Sequence, residues 1–270
     1  MPELPEVETT RRGLEPLLVG QTIASVDVRQ PSLRWPVDDA LASQVRDQRI
    51  RSVGRRGKYL LVTVDNGTLL VHLGMSGNLR FLSEAVTPSL HDHVDIIIAS
   101  GSQLRFNDPR RFGSLHFTTN TSEHWLLRDL GPEPLGDQFD ADYLWSISRR
   151  RRVAIKQHLM KGRIVVGVGN IYASEALFRA GIHPQRAAGR IARKRFDPLV
   201  EAVRAVLSEA IEAGGTTLRD FVGGDGRPGY FKQDLLVYDR EGEPCVTCAS
   251  NIKRCVVGQR ASYYCPQCQH

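Results

Sequence analysis

Two stretches at opposite ends of this 270-residue chain hold residue types that can do chemistry. At the start, Pro2 and Glu3 directly follow Met1. A small residue after the initiator predicts its removal, which gives Pro2 a free secondary amine. A chain-terminal amine titrates near ~7.7–8.0, against ~10.4 for lysine, so its neutral fraction at pH 7 is roughly a few hundred times larger. Proline is more basic than a primary amine, so burial or nearby cations must tune it. Such an amine attacks a carbonyl carbon, for example C1′ of an opened sugar, and forms an iminium ion. Glu3 is placed to move protons beside it. The same residues also suit a rigid, acidic lead into a helix.

At the other end, all five cysteines fall within the last 26 residues. Cys245-x2-Cys248, sixteen intervening residues, then Cys265-x2-Cys268 is four-thiolate zinc spacing. Four protein ligands close the tetrahedron, so the ion is structural, and Cys255 is a spare. A hairpin this small is expected to bury no core of its own and to fold on the metal. Lys253, Arg254 and Arg260 put cations at its tip. Such a module is common in nucleic-acid proteins and names no reaction.

Between these ends, several loops carry cations and large apolar groups. They are Gly54-Arg55-Arg56-Gly57-Lys58, His72-Leu73-Gly74-Met75-Ser76-Gly77, His91-Asp92-His93 and Asn107-Asp108-Pro109-Arg110-Arg111-Phe112-Gly113. Taken alone, core packing is the favoured reading of Met75 and Phe112, and a solvated charge that of Lys58. Two histidines two residues apart make a weak metal signal. Arg149-Arg150-Arg151-Arg152 suits phosphate contact. Gly169-Asn170, at the predicted start of a helix, leaves open N–H groups that favour a phosphate.

Composition sets limits around these residues. The net charge of +6 and pI near 9.2 fit an anionic partner. No apolar run approaches the ~18–20 residues of a membrane span. Clustered cysteines fit a reducing compartment, so a cytoplasmic location is expected. The elements that must position the site follow from periodicity. Residues 4–18 read as a helix ending at Gly20. Short alternating strands at Ile23–Arg29, Ile50–Val53, Tyr59–Val64, Thr68–Leu73, Asn78–Leu82, Val94–Ala99 and Leu104–Asn107 predict a sandwich or barrel. Asp65-Asn66-Gly67 marks a hairpin. Residues 131–140 read as a punctuated linker. Helices follow at Val153–Met160, at Ile171–Arg179 and after Asp197, an N-cap candidate, up to Gly214-Gly215. The Gly-rich stretch 216–234 is a candidate lid.

These motifs occur in one order. Met1-Pro2-Glu3-Leu4-Pro5-Glu6-Val7-Glu8, Lys58-Tyr59-Leu60-Leu61, the His72–Gly77 and Asp108–Gly113 segments, Gly167-Val168-Gly169-Asn170-Ile171-Tyr172-Ala173-Ser174-Glu175, Gly214-Gly215-Thr216-Thr217-Leu218 and Gln259-Arg260 before Cys265-x2-Cys268 resemble bacterial formamidopyrimidine-DNA glycosylases over residues 1–270. The resemblance implies an α+β fold: an N-terminal helix plus β-sandwich (1–130), a helix–two-turn–helix domain (131–235) and a zinc finger (236–270), with DNA in the cleft.

It also implies an enzyme of base-excision repair. The family flips out a damaged purine, 8-oxoguanine or formamidopyrimidine. Pro2 attacks C1′, Glu3 serves as acid–base residue, and β- then δ-elimination cut the strand. No redox or metal cofactor is required for that chemistry. The family assigns Lys58 to β-elimination, and Arg260 to δ-elimination and the lesion phosphate. Asn170 binds the same backbone. Met75, Arg110 and Phe112 fill the vacated space; His72, His91, Arg110 and Arg151 contact DNA. One structural zinc on Cys245, Cys248, Cys265 and Cys268, a partner of double-stranded DNA with oxidised bases or abasic sites, and a monomer at the bacterial nucleoid are expected.

Two departures stand out. Lys161-Gly162 replaces a common acidic residue, and Arg219 stands where lysine is frequent. The alternatives are an endonuclease VIII-type glycosylase for oxidised pyrimidines and a non-catalytic zinc protein that binds damaged DNA. Leu4 and the Arg110-Arg111-Phe112 motif favour the purine enzyme.

Overall fold

The computed structural model describes residues 2–214 and 235–270. The predicted lid and Arg219 lie outside the described residues. The described chain divides into two compact units, residues up to Arg128 with 213–214, and residues 129–212 with 235–270. No helix among the described residues is long and apolar enough to cross a membrane.

The first unit opens with α1 (Leu4–Leu18), as the periodicity predicts. Pro5 sits in its first turn, where a missing N–H costs nothing. Eight strands follow: β1 (Ile23–Val28), β2 (Ile50–Arg56), β3 (Tyr59–Val64), β4 (Gly67–His72), β5 (Asn78–Leu82), β6 (Asp92–Ile98), β7 (Gln103–Asn107) and β8 (Ser114–Thr118). They form two antiparallel sheets, ordered β1-β6-β7-β5 and β2-β3-β4-β8. Val7, Leu14 and Leu18 of α1 share one core with inward residues of both sheets, among them Leu60, Val62, Leu69, Val71, Ile96 and Phe106. Burial of these side chains supplies the main stabilisation, roughly 1.5–3 kcal/mol each.

The strand β8 and the short helix α2 (Leu41–Val45) have no counterpart in the sequence reading. β8 pairs with β4 and completes the sheet. The hairpin at residues 64–67 forms, but neither Asp65 nor Asn66 adopts positive φ. Gly67 serves another purpose: a Cβ there would strike the Phe117 ring and the Thr118 carbonyl of β8. The glycine admits the neighbouring strand.

A buried ion network braces β6 against β7. Arg105 donates to Asp95 at 2.8 Å, and Arg29 and Arg80 add bonds to Asp95 and Asp92. Asp92 also accepts from Ser89 N–H and from Asn107. Burial pushes both carboxyls up, but these donors win and hold them below the usual carboxylate range.

The second unit contains α3 (Ala141–Ser148), α4 (Ile155–Leu159), α5 (Asn170–Arg179), α6 (Phe196–Glu212) and a hairpin of β9 (Lys253–Val257) and β10 (Arg260–Tyr264). Residues 131–140 are not a free linker. Phe139 is fully buried, and Arg204 donates to the carbonyls of Gly136 and Phe139. Asp140 caps α3 through Tyr143 N–H at 2.7 Å. The predicted helix from Val153 is shorter, because Val153 accepts from Ala188 N–H and Ala154 bridges to Ala187. Asp197 is not an N-cap. α6 starts one residue earlier, and Asp197 binds Arg193 from its first turn at 2.6 Å.

Candidate active site and zinc centre

Pro2 and Glu3 are buried, Glu3 to 2% exposure, at the start of α1. Glu6 Oε2 accepts from Glu3 N–H at 2.8 Å, so the chain end is pinned by its own helix. Glu3 occupies the N-cap position, where the helix dipole favours its anion. Two further residues tie α1 to β2. Glu8 gathers Arg11, Arg12 and Arg55, with Arg55 Nε at 3.0 Å. Arg55 then donates to the Gly57 carbonyl at 3.0 Å, which holds the β2–β3 turn where Lys58 sits.

His72 ends β4, opposite Tyr59, with ring centroids 4.8 Å apart. Its Nδ1 accepts from Gly74 N–H at 3.0 Å, which places the ring proton on Nε2. Burial, then the Lys58 and Arg34 charges, lower its pKa to about 4. His72 is therefore a neutral donor at pH 7.

The turns holding Met75 and Arg110–Phe112 are locked together. Asp108 is fully buried and accepts from Ser76 Oγ at 2.7 Å and from Gly113 N–H at 2.7 Å. Ser76 Oγ in turn accepts from Arg110 N–H at 3.3 Å. Gly74, at φ +67, lies so close to Phe112 and Gly113 that a Cβ there would overlap their backbone. Phe112 stands 41% exposed with the Arg110 guanidinium 4.8 Å from its ring centre. The ring is therefore held at the surface and not packed in the core. His91 joins this group through its carbonyl, which accepts from Asp108 N–H at 3.0 Å. His93, in contrast, is a core histidine bonded to the Asp108 carbonyl at 2.8 Å.

In the second unit, Asn170 is the first residue of α5 behind the N-cap Gly169. Its Nδ2 donates to the Ala261 carbonyl at 3.1 Å, next to Arg260. Lys156 of α4, wholly buried, donates to the same carbonyl at 3.1 Å and to Ser262 Oγ at 2.7 Å. Two donors thus fix the strand that begins with Arg260, which is exposed beside the Gly258-Gln259 tip. Arg151 is exposed on the turn between α3 and α4. Glu175 accepts from the N–H groups of Leu236, Val237 and Tyr238 at 2.8–3.0 Å, anchoring the chain that leads to the finger.

The sulfurs of Cys245, Cys248, Cys265 and Cys268 lie within 4.8 Å of one another. Pairs stand at 3.9 and 3.4 Å. A zinc with four thiolates at ~2.3 Å needs sulfurs ~3.8 Å apart, so the donor set fits. Thr247 N–H and Cys268 N–H each point at a cluster sulfur at 3.4 Å. Ser250 draws the Cys248 thiol down to about 6, whereas burial pushes Cys265 and Cys268 up. Four thiolates this close require a cation between them. Cys255 is outside the cluster. The finger's buried side chains join a core with α5: Ile252, Tyr263, Cys245 and Cys265 pack with Val237 and with Phe178 of α5.

Residues 1–115 match the N-terminal domain of formamidopyrimidine-DNA glycosylase, 130–222 match its H2TH domain, and 242–270 match the zinc finger found in FPG and IleRS. The chain is 56% identical over 269 residues to the formamidopyrimidine-DNA glycosylase of Stutzerimonas stutzeri, with all of both chains covered. It is 57% identical over 276 residues to that of Alkalilimnicola ehrlichii, again with full coverage. The chain belongs to the formamidopyrimidine-DNA glycosylase family.

Solved structures agree with this membership. The Thermus thermophilus MutM (FPG) crystal structure superposes with a TM-score of 0.89 at 41% identity, covering 99% of this chain and 98% of that one. A Lactococcus lactis Fpg complexed with abasic-site DNA gives 0.92 at 32% identity, covering 99% of each. Of the expected glycosylase residues, Pro2, Glu3, Lys58, His72, Met75, His91, Arg110 and Phe112 fall in the first unit. Arg151, Asn170, Arg260 and the four cysteines fall in the second. Sequence reading missed Asp108, Lys156 and Glu175 as positioning residues. A lone lysine at an apolar helix position was the available sign for Lys156.

Proposed function

We propose that this chain removes oxidised purines, 8-oxoguanine and formamidopyrimidines, from double-stranded DNA and then cuts the abasic strand by β,δ-elimination. Relatives bear the name of that glycosylase, and Lactococcus lactis Fpg has been crystallised with abasic-site and Fapy-dG DNA. The observation that carries the reading is the buried Pro2-Glu3 pair at the start of α1. With Met1 removed, burial favours the neutral, nucleophilic amine. Its nitrogen bonds to C1′ as the bond from C1′ to the base breaks, and the base leaves with a proton. Glu3 moves protons as the sugar ring opens to the iminium. The iminium acidifies the 2′ hydrogen. Loss of that hydrogen expels the 3′ phosphate, and a second elimination expels the 5′ phosphate.

In this reading Lys58 assists the β step, and Arg260, held by the zinc finger, assists the δ step. Asn170, Arg151, His91 and His72 contact the backbone, His72 through its Nε2–H. Met75 and Phe112 fill the vacated stack, and Arg110 bonds the orphaned base. Zinc holds the finger and takes no part in the bond changes. The functional segments are 1–130, 131–235 and 236–270, acting on cytoplasmic, nucleoid DNA as a monomer.

Borohydride trapping tests the proposal. Duplex DNA with one 8-oxoguanine opposite cytosine is incubated with the protein, reduced and mapped. A covalent adduct on Pro2 is expected. Adducts only with oxidised pyrimidines would reassign the substrate, and no adduct with Met1 absent and zinc bound would leave a non-catalytic binder. For Arg260→Ala, product stalled after β-elimination is expected; clean gaps would remove Arg260 from the δ step.

A further inference from the structure

Residues 182–195 hold five cations, Arg186, Arg190, Arg193, Lys194 and Arg195, and no carboxylate. The segment folds into two short turns that wall a cavity of about 210 Å³ with His270 on its other side. Ile182 and Ile191, both buried, and Ala192 give it apolar lining. Arg186, Arg190, Lys194 and Arg195 line it as well.

The cations differ in what they already bind. Arg193 is neutralised by Asp142 and Asp197, each at 2.6 Å, and does not line the cavity. Arg195 is fixed as wall: it donates to the carbonyls of Ala180 and Gly181 at 3.0 and 2.9 Å, closing the C-terminal end of α5. Arg186, Arg190 and Lys194 are exposed, and among the described residues no carboxylate forms an ion pair with them. Three uncompensated cations around an apolar hollow favour an anionic occupant.

Two rulers within this unit separate the cavity from the residues expected to meet the lesion. α5 has ten residues, so Asn170 lies ~15 Å from its far end, just before Ile182 begins the cavity wall. Arg260 starts β10 and Tyr264 ends it, ~13 Å away. The His183 ring packs on Tyr264 at 4.4 Å, and His183 N–H donates to His270. Asn170 and Arg260 are neighbours through the Ala261 carbonyl, so both rulers start at one place and end at the cavity.

We propose that this cavity docks an acidic peptide segment of a partner protein, with one apolar side chain against Ala192 and the rim of Ile191 and flanking carboxylates on Arg186, Arg190 and Lys194. A peptide fits better than nucleic acid. A duplex supplies the charge on its outer face but keeps its bases stacked inside, away from the hollow, whereas an acidic peptide supplies both charge and an apolar side chain. The separation from Asn170 and Arg260 leaves the peptide and a DNA lesion able to bind at once.

The test uses the zinc-loaded full chain and a short, fluorescein-labelled Asp- and Glu-rich peptide with one central leucine. Saturable anisotropy is expected at physiological salt. Replacing the leucine by asparagine, or introducing Arg190→Glu with Lys194→Glu, should each weaken binding about tenfold or more. Excision from lesion DNA should stay within about twofold, because rim charges far from a site change little there. Arg190→Gln with Lys194→Gln repeats the test without charge reversal. Three results would each overturn the proposal: no saturable binding, equal binding of the asparagine peptide, or displacement of the peptide by stoichiometric undamaged duplex, which would mark a polynucleotide contact.

Discussion

The two units hold their site residues by opposite means. In the first, a buried anion, Asp108, and close backbone contact at Gly74 lock two turns together, and among the described residues no metal-ligating cluster falls there. In the second, a buried cation, Lys156, fixes the strand of Arg260, and that strand belongs to a hairpin closed by four thiols around a metal position. Geometry in the first unit is written into the chain alone, whereas geometry around Arg260 is conditional on zinc.

Zinc removal should therefore separate the units, and it is the largest effect expected. Structural zinc sites contribute ~10–16 kcal/mol of apparent binding energy at pH 7, far above what the small shared core of Ile252, Tyr263 and Val237 can replace. Chelation, or Cys265→Ser, should unfold the finger and abolish strand cleavage. The first unit should keep its own thermal transition, followed through Trp35 and Trp125, which pack edge to face at 5.2 Å. Loss of that aromatic signal along with zinc would show that the first unit is not autonomous.

Asp108→Ala is the matching lesion in the first unit. It leaves Gly113 N–H and Ser76 Oγ without their shared acceptor in a dry site. A loss of about 3 kcal/mol follows from two or three buried bonds to a charged group. The finger should keep its zinc, measured by metal release, and base excision should fall more than strand nicking at preformed abasic sites. Unchanged excision would mean that the Arg110–Phe112 turn holds its shape without Asp108.

This contrast also explains what was legible in the chain. α1, the zinc ligands and most strands follow from short-range signals: 3.6-residue periodicity, C-x2-C spacing and alternation. β8 was missed although Ser114–Thr118 alternates polar and apolar, because a run of five residues directly after the Asn107–Gly113 loop is short; its pairing with β4 makes it a strand. α3 was hidden behind the punctuation of residues 131–140, whose Phe139 is in fact core. Gly67 looked like a turn residue, and its reason is the Phe117 ring that no local pattern foretells. Pro2, Arg260 and Asn170 were legible through motif order. The residues that brace the Arg260 strand and the finger, Lys156 and Glu175, act across 61 to 106 positions of sequence, and a single chain does not reveal which residues such groups pair with.

Lys156→Met probes the second unit more gently. The side chain keeps its volume but loses both bonds, while Asn170 still donates to Ala261. A cost of about 1–3 kcal/mol is expected, since Ser262 Oγ is left buried without its donor. Zinc should stay bound. The sharper readout is product: β-eliminated ends should accumulate while Pro2 adduct formation is spared. A uniform loss of every step would mean that Lys156 only supports the fold.

The smallest effect is one that vanishes at neutral pH and strikes both units alike. His72 in the first and His158 in the second are each held near a pKa of about 4 by burial, with Lys58 and Arg34 beside one and Lys161 and Arg151 beside the other. In the unfolded chain both return to ~6.5. Above that value neither state binds the proton, and the stabilisation is complete. As pH falls from 6.5 towards 4, the unfolded chain takes up protons that the folded chain refuses, so stability drops. The two rings differ in one respect. His72 Nδ1 accepts from Gly74 N–H, whereas His158 Nε2 is buried without a hydrogen-bond partner among the described residues. His158→Phe should therefore flatten the second unit's acid decline at little cost, while His72→Phe should flatten the first unit's decline but strand the Gly74 donor and lower stability at every pH. Urea midpoints for both variants between pH 7 and 4.5 measure this. Parallel curves for wild type and variants would show that neither ring carries the acid response in this range; Asp92 and Asp95, whose pKa values are lowered, lose their stabilisation only below it, as pH falls from about 4 through those lowered values.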